Sequence, residues 1–282
     1  MRFGVLVLAM IWVGCTSIEI DEADVFEPKP TITPDLFEHQ AVSLEEVDLP
    51  AAGDSLHLNA WWLTREDAEA TVLFFGGQGF YLVQSSGYVE AFTELPVNVL
   101  MVDYRGYGKS EGAPSVQALK DDSQVALDYL QQTQEVDPAS VIVHGHSLGT
   151  FVGLHLATSA PVGGVMLENP ATNADAWARQ LVPWFLRLFV SLQFDDALRG
   201  EDNIERIRAL DRPVLIAAGG ADEVTPPAMA ETLYDETSAA DKELVRIEEG
   251  GHNGLHAFAE YRDAYERLIR TVTTDHENET GR

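Results

Sequence analysis

Five residues, Gly145-His146-Ser147-Leu148-Gly149, have the types and spacing for nucleophilic chemistry. A serine hydroxyl becomes a nucleophile when a neighbouring base takes its proton, and G-x-S-x-G is the spacing that exposes such a serine on a sharp strand-to-helix turn. Glycine is needed two positions either side, because a side chain there would collide with the adjoining strand or helix backbone. The β-rich run Val141-Ile142-Val143 enters the turn. Gly149, Gly153 and Ala157 follow at four-residue spacing, as a helix packed closely on a sheet requires. At average composition the pentapeptide arises by chance in roughly one chain of this length in ten. An ordinary turn with an incidental serine therefore stays open until partners are found.

In the nucleophile-elbow arrangement the acid and the histidine follow the serine in the chain. The apolar run Pro213-Val214-Leu215-Ile216-Ala217-Ala218 reads as a buried strand ending in Gly219-Gly220-Ala221-Asp222. A second strand-like run, Glu243-Leu244-Val245-Arg246-Ile247, leads through Gly250-Gly251 to His252. Ligands of open parallel sheets bind beyond the carboxyl ends of the strands, so Ser147, Asp222 and His252 can converge although far apart in sequence. His252 would then be the general base and acid, and Asp222 the group that orients its ring. A turn-forming aspartate and a loop histidine are the plainer alternatives. Of the other histidines, His144 and His146 flank the elbow and are expected to bond locally, His155 lies in the following helix and His276 in a polar tail. His256, placed in the last helix, is the nearest rival to His252.

A tetrahedral intermediate needs amide donors for its oxyanion, one from the residue after the nucleophile and one from a loop after an early strand. Leu148 N–H is the first. Thr71-Val72-Leu73-Phe74-Phe75 reads as the early strand, and Gly76-Gly77-Gln78-Gly79 offers the second donor at Gln78 or Phe80.

With these residues in place the chain resembles the α/β-hydrolase fold serine hydrolases, and in particular the Bem46 group of esterase-like proteins. Asp103-Tyr104-Arg105-Gly106-Tyr107-Gly108-Lys109-Ser110-Glu111-Gly112 resembles that family's D-Y-R-G-x-G-x-S-x-G block, residues 219–222 with Pro226 its acid loop, and residues 250–253 its histidine loop. The likeness spans residues 43–272. It departs at the oxyanion turn, where the family commonly has His-Gly-Asn and this chain has Gly76-Gly77-Gln78.

The elements that must position these groups are legible as strand-like runs at 56–62, 72–75, 97–102, 141–143, 164–167, 213–217 and 244–247. They alternate with helical patterns at 116–130, 229–234 and 255–271. Such alternation predicts an α/β class with a mainly parallel sheet and helices on both faces. Residues 170–210 form an insertion before the acid-bearing strand, crowded with apolar residues around Pro183. They are expected to form a short helical cap, with Trp177, Trp184, Phe185 and Phe189 as candidate pocket walls. Packing on the sheet edge or contact with a membrane are the alternatives for that stretch.

The N-terminus carries a separate message. Arg2, a short apolar run to Val13 and then Gly14-Cys15 have the shape of a secretory signal, residues 1–14, too short to span a bilayer. Cys15, the single cysteine, stands where a bacterial lipoprotein is cleaved and acylated, although Trp12 replaces the usual leucine. Residues 15–42, acidic and proline-rich, are expected to be a tether reaching on the order of 80 Å when extended. Thr16 in place of aspartate favours the outer membrane in a Gram-negative cell, by resemblance to lipoprotein sorting; secretion or a periplasmic location is the alternative. Residues 273–282 are expected to be a polar tail.

Forty-six acidic against 18 basic residues give a net charge of −28, which argues against nucleic acid and anionic lipid surfaces as partners. No metal-ligand cluster or dinucleotide fingerprint is present in the sequence, and no cofactor or metal is expected. Asp121-Asp122 and Asp195-Asp196 read as solvated charges. The expected function is hydrolysis of carboxylic esters or thioesters, of small molecules or lipids, through an acyl-Ser147 intermediate at a bacterial envelope membrane. A serine peptidase of the same fold is the alternative in chemistry; a catalytically silent envelope lipoprotein with a binding role is the alternative in class. Oligomeric state is not readable from the sequence.

Overall fold

The computed structural model describes residues 16–26, 28–29, 42–53, 55–183 and 190–281. Cys15 and three cap candidates, Trp184, Phe185 and Phe189, lie outside them. The described chain opens with strand β1 (Thr16–Ile20) and the single turn α1 (Glu22–Val25). Strands β2 (Ser43–Pro50), β3 (His57–Thr64) and β4 (Ala70–Phe75), helix α2 (Ser86–Thr93), strand β5 (Val97–Val102) and helix α3 (Val116–Gln132) follow. Next come β6 (Val141–His146), α4 (Gly149–Ser159) and β7 (Gly164–Glu168). The insertion holds α5 (Ala174–Leu181), β8 (Val190–Phe194), α6 (Asp196–Arg199) and α7 (Asn203–Arg208). The domain closes with β9 (Val214–Gly219), α8 (Pro227–Glu236), β10 (Lys242–Ile247) and α9 (Ala259–Thr280).

Eight strands form one sheet in the order β10-β9-β7-β6-β4-β5-β3-β2. The six from β5 to β10 in that order pair in parallel, while β3 and β2 add antiparallel at one edge. The central strands are apolar on both faces because helices cover both, and the two-residue period divides their side chains. Leu73, Phe75, Val141 and Val143 enter the core on one face, and Val72, Phe74 and Ile142 the core on the other. Each such side chain fully withdrawn from water contributes about 1.5–3 kcal/mol. The β6 strand, which leads into Ser147, lies between β4 and β7 and so deep in the sheet.

Four expectations are corrected. Residues 16–26 are not free tether: β1 pairs in parallel with β8 of the insertion, Ile20 opposite Phe194, and Val25 and Phe26 are buried. Three of the acidic residues that gave the stretch its tether-like composition serve as caps: Asp21 and Asp24 close a capping box on α1, and Glu22 accepts from Val116 N–H at the start of α3. The insertion is accordingly mixed, since Val190-Ser191-Leu192-Gln193-Phe194 alternates with the period of a strand. The polar tail is helical, because α9 meets no breaker until Gly281, which sits in the left-handed region at φ 70° and caps it. Asp122 is not solvated: it is buried in a two-pronged ion pair with Arg105, Nε to Oδ2 at 2.6 Å and Nη2 to Oδ1 at 2.7 Å.

Candidate active site

Ser147 and Leu148 form the two-residue elbow between β6 and α4, and Ser147 has φ 51°, a conformation sparsely used by non-glycine residues. The two flanking glycines make it possible. A Cβ on Gly145 would lie 2.4 Å from the Gly149 carbonyl oxygen, and one on Gly149 only 2.0 Å from that of Phe75. Both obstacles are main chain and have nowhere to move. Ser147 N–H donates to the Glu168 carbonyl at 2.9 Å, which fixes the elbow to the end of β7.

The structure brings Ser147, Asp222 and His252 together. Ser147 Oγ lies 2.9 Å from His252 Nε2, and His252 Nδ1 lies 2.8 Å from Asp222 Oδ2. With Asp222 as acceptor, Nδ1 carries the proton and Nε2 is free to accept one from the serine. Asp222 follows β9 in a tight turn in which its Oδ1 accepts from Val224 N at 2.7 Å and Thr225 N at 3.0 Å. Burial of this carboxyl favours its neutral form. The hydrogen bonds with His252 and with the Thr225 hydroxyl, 2.7 Å away, outweigh that and hold its pKa below the usual carboxylate range.

Asn169, the residue after β7, was not singled out in the sequence, yet it links the acid loop to the histidine loop. It has φ 46°. Its Oδ1 accepts from Gly219 N at 2.8 Å, its Nδ2 donates to His252 O at 2.8 Å and Gly251 O at 3.1 Å, and its carbonyl lies 3.0 Å from the Thr225 hydroxyl. His146 adds a further tie, Nε2 to His252 O at 3.0 Å, and burial lowers its pKa, keeping it neutral. No local pattern announces Asn169, because its partners lie on loops remote in the chain.

Gly77 packs against Ser147: a Cβ there would meet His146 Nδ1 at 3.0 Å and Ser147 Cβ at 3.3 Å. Phe80 N–H is spent on the Gly77 carbonyl at 3.0 Å, so of the two expected donors in this turn Gln78 is the one left. Among the described residues Gln78 N–H and Leu148 N–H have no protein partner, and both residues line the cavity above Ser147. The 103–112 block holds this turn from below. Tyr104 hydroxyl donates to Gly76 O at 2.7 Å, and Asp103 Oδ1 accepts from Leu82 N at 2.9 Å.

The cavity measures about 550 Å³ and is lined by Ser147, Leu148, Gln78 and His252 at the reacting end. Leu119, Phe151, Trp177, Phe194, Leu198 and Phe26 supply apolar wall. Trp177 is thus the one described cap candidate, and it is on the wall. Lys120 and Glu201 also line it, ion-paired to each other, and Glu201 Oε2 lies 2.8 Å from Arg206 Nη2. His256 belongs to a short 3-10 turn before α9, because Phe258 is extended and starts the helix later than its apolar period suggests. It packs its ring 4.5 Å from that of Tyr88, while His252 takes the place beside Ser147.

A parallel sheet carrying a serine elbow, with an acid and a histidine on later strand ends, defines an α/β-hydrolase. Residues 66–210, just over half of the chain, match the family described as serine aminopeptidase, S33, and the chain belongs to that family. The alpha/beta hydrolase domain-containing protein WAV2 of Arabidopsis thaliana is 32% identical over 210 residues, covering 70% of this chain and 68% of its own. An uncharacterized protein of Mycobacterium tuberculosis is 32% identical over 203 residues, 71% and 69%. The esterase Pf2001 of Pyrococcus furiosus superimposes with a TM-score of 0.68 at 15% identity, over 88% of this chain and 98% of that one. The protein is a hydrolase of the α/β-hydrolase fold.

Proposed function

We propose that the protein is a serine esterase that cleaves carboxylic esters or thioesters through an acyl-Ser147 intermediate. The observation that carries this reading is the unbroken chain Ser147–His252–Asp222 opening on a largely apolar cavity. His252 Nε2 takes the hydroxyl proton as Ser147 Oγ attacks the carbonyl carbon, and the Asp222 carboxylate stabilises the imidazolium. The developing oxyanion is met by Leu148 and Gln78 N–H, and the leaving alcohol or thiol takes the proton back from His252. Water repeats the sequence to release the acid. The fold of the Pyrococcus furiosus esterase agrees with this reading, and the 103–112 block supports a place beside the Bem46 group.

A peptidase selecting a free amino terminus needs a carboxylate to receive the ammonium. In this cavity the carboxylate at hand, Glu201, is already engaged by Lys120 and Arg206, which favours esters. Hydrolysis of p-nitrophenyl esters from acetate to palmitate, together with labelling by a fluorophosphonate, tests the assignment. A folded protein that does neither returns the binding-protein reading to the front.

Asn169 is a positioning residue in this scheme. Asn169→Gly keeps the left-handed backbone without strain and removes only the side-chain bonds, so it is expected to lower kcat on the order of 10²-fold with KM little changed. Steady-state kinetics check this; an unaltered kcat would remove Asn169 from the machinery.

Cys15, on the sequence pattern alone, is proposed to be acylated and to hold the enzyme at an envelope membrane. Among the described residues no helix is long and apolar enough to cross a bilayer. Incorporation of labelled palmitate into the full chain and its loss in Cys15→Ser is the expected result; equal incorporation, or none in either, refutes it.

A further inference from the structure

We propose that residues 16–26 are the selectivity wall of this enzyme: Phe26 stops the acyl chain that runs from Ser147 between α3 and the insertion, so the substrates are esters of linear aliphatic acids whose length Phe26 reads. The inference rests on the serine esterase reading. A cavity of about 550 Å³ far exceeds what an acetyl group fills, and its apolar side is built from Val116 and Leu119 of α3, Phe194 and Leu198 of the insertion, and Val25 and Phe26. The last two come from outside the hydrolase core in sequence, yet both are buried.

Their position is fixed from both sides of the cavity. Towards the insertion, β1 pairs with β8 so that Ile20 stands opposite Phe194, and Glu22 N–H donates to Asp195 Oδ2 at 3.3 Å. Towards α3, Glu22 Oε1 accepts from Val116 N at 2.7 Å and so caps that helix. Just beyond, Lys29 N–H donates to the Tyr81 hydroxyl at 2.6 Å, and Tyr81 itself lines the cavity. The segment is therefore a strap joining the two elements between which an acyl chain would lie. A ring held this way at the cavity surface is a steric limit, and the cost of exceeding it falls on long chains alone.

The test uses the full chain with Phe26→Ala and Phe26→Trp, assayed on p-nitrophenyl esters from butyrate to palmitate after active-site titration with a fluorophosphonate. Phe26→Ala is expected to raise the ratio of kcat/KM for laurate over butyrate by about tenfold, and Phe26→Trp to lower it. A purely structural role for Phe26 would change thermal stability, or all esters alike, and leave that ratio alone. Phe26→Leu serves if the alanine variant does not fold. Labelled variants with an unshifted ratio overturn the inference while the nucleophile stands; absence of labelling and turnover in the wild type overturns both.

Discussion

Ser147→Ala is expected to lower kcat by roughly 10⁴- to 10⁶-fold on whichever p-nitrophenyl ester the wild type turns over best, with KM little changed. The size follows from what the hydroxyl does in the proposed reaction: without Oγ there is no acyl-enzyme, and only the oxyanion amides and the binding cavity remain to assist water. The fold should persist. Ser147 carries its φ of 51° because β6, α4 and the Glu168 carbonyl impose it, and alanine meets the same constraint with no larger a side chain. Two readouts separate lost chemistry from lost structure: thermal unfolding should stay within a few degrees of wild type, and fluorophosphonate labelling should vanish. Retention of a per cent or more of wild-type kcat in a titrated, labelling-negative preparation would mean that another group is the nucleophile, and His252 would need a different partner.

The sequence showed the reacting groups more clearly than their supports, for a physical reason. An elbow serine, an acid after a strand and a histidine after the next strand each leave a local trace, since glycines and strand-ending turns must stand beside them. The sheet was legible on the same grounds, because β4, β5, β6, β7 and β9 are runs of largely apolar residues covered on both faces. Strand β2 was missed: it lies at the sheet edge with most of its side chains exposed, so no apolar run announces it. Asn169 was missed because its meaning lies in bonds to positions 219, 251 and 252, none of them local. The 16–26 segment was misread because acidic residues used as helix caps have the same composition as solvated ones. The Arg105–Asp122 pair belongs to the same class of error, an aspartate judged by its neighbours in sequence when its partner stands 17 positions away.

Glu168 presents the largest expected effect on stability. Its carboxylate is wholly buried at the end of β7, with Oε2 accepting from Tyr261 hydroxyl at 2.8 Å and lying 3.2 Å from His144 Nε2, and Oε1 accepting from Tyr88 hydroxyl at 3.2 Å. Burial alone would raise its pKa; the bond with His144 and the surrounding imidazoles reverse that and bring it down to about 2 from the ordinary 4.5. A carboxyl with a depressed folded-state pKa stabilises the fold above its unfolded value and ceases to do so as pH falls through the folded one. The contribution is thus fully present above about pH 4.5 and is lost between there and about pH 2. Glu168→Ala strands His144 and two tyrosine hydroxyls in the core and is expected to cost about 3–5 kcal/mol at neutral pH. Glu168→Gln keeps an acceptor for the tyrosines and should cost less, and its stability should fall less steeply in acid than that of the wild type. Urea unfolding at pH 7, 5, 4 and 3 measures both. Parallel stability curves for wild type and Glu168→Gln across that range would show that folding does not shift the pKa of this carboxyl, and would overturn the prediction. Because Ser147 N–H hangs on the Glu168 carbonyl and Asn169 follows at once, slackening at this strand end should also reach the nucleophile, so kcat is expected to fall along with stability in both variants.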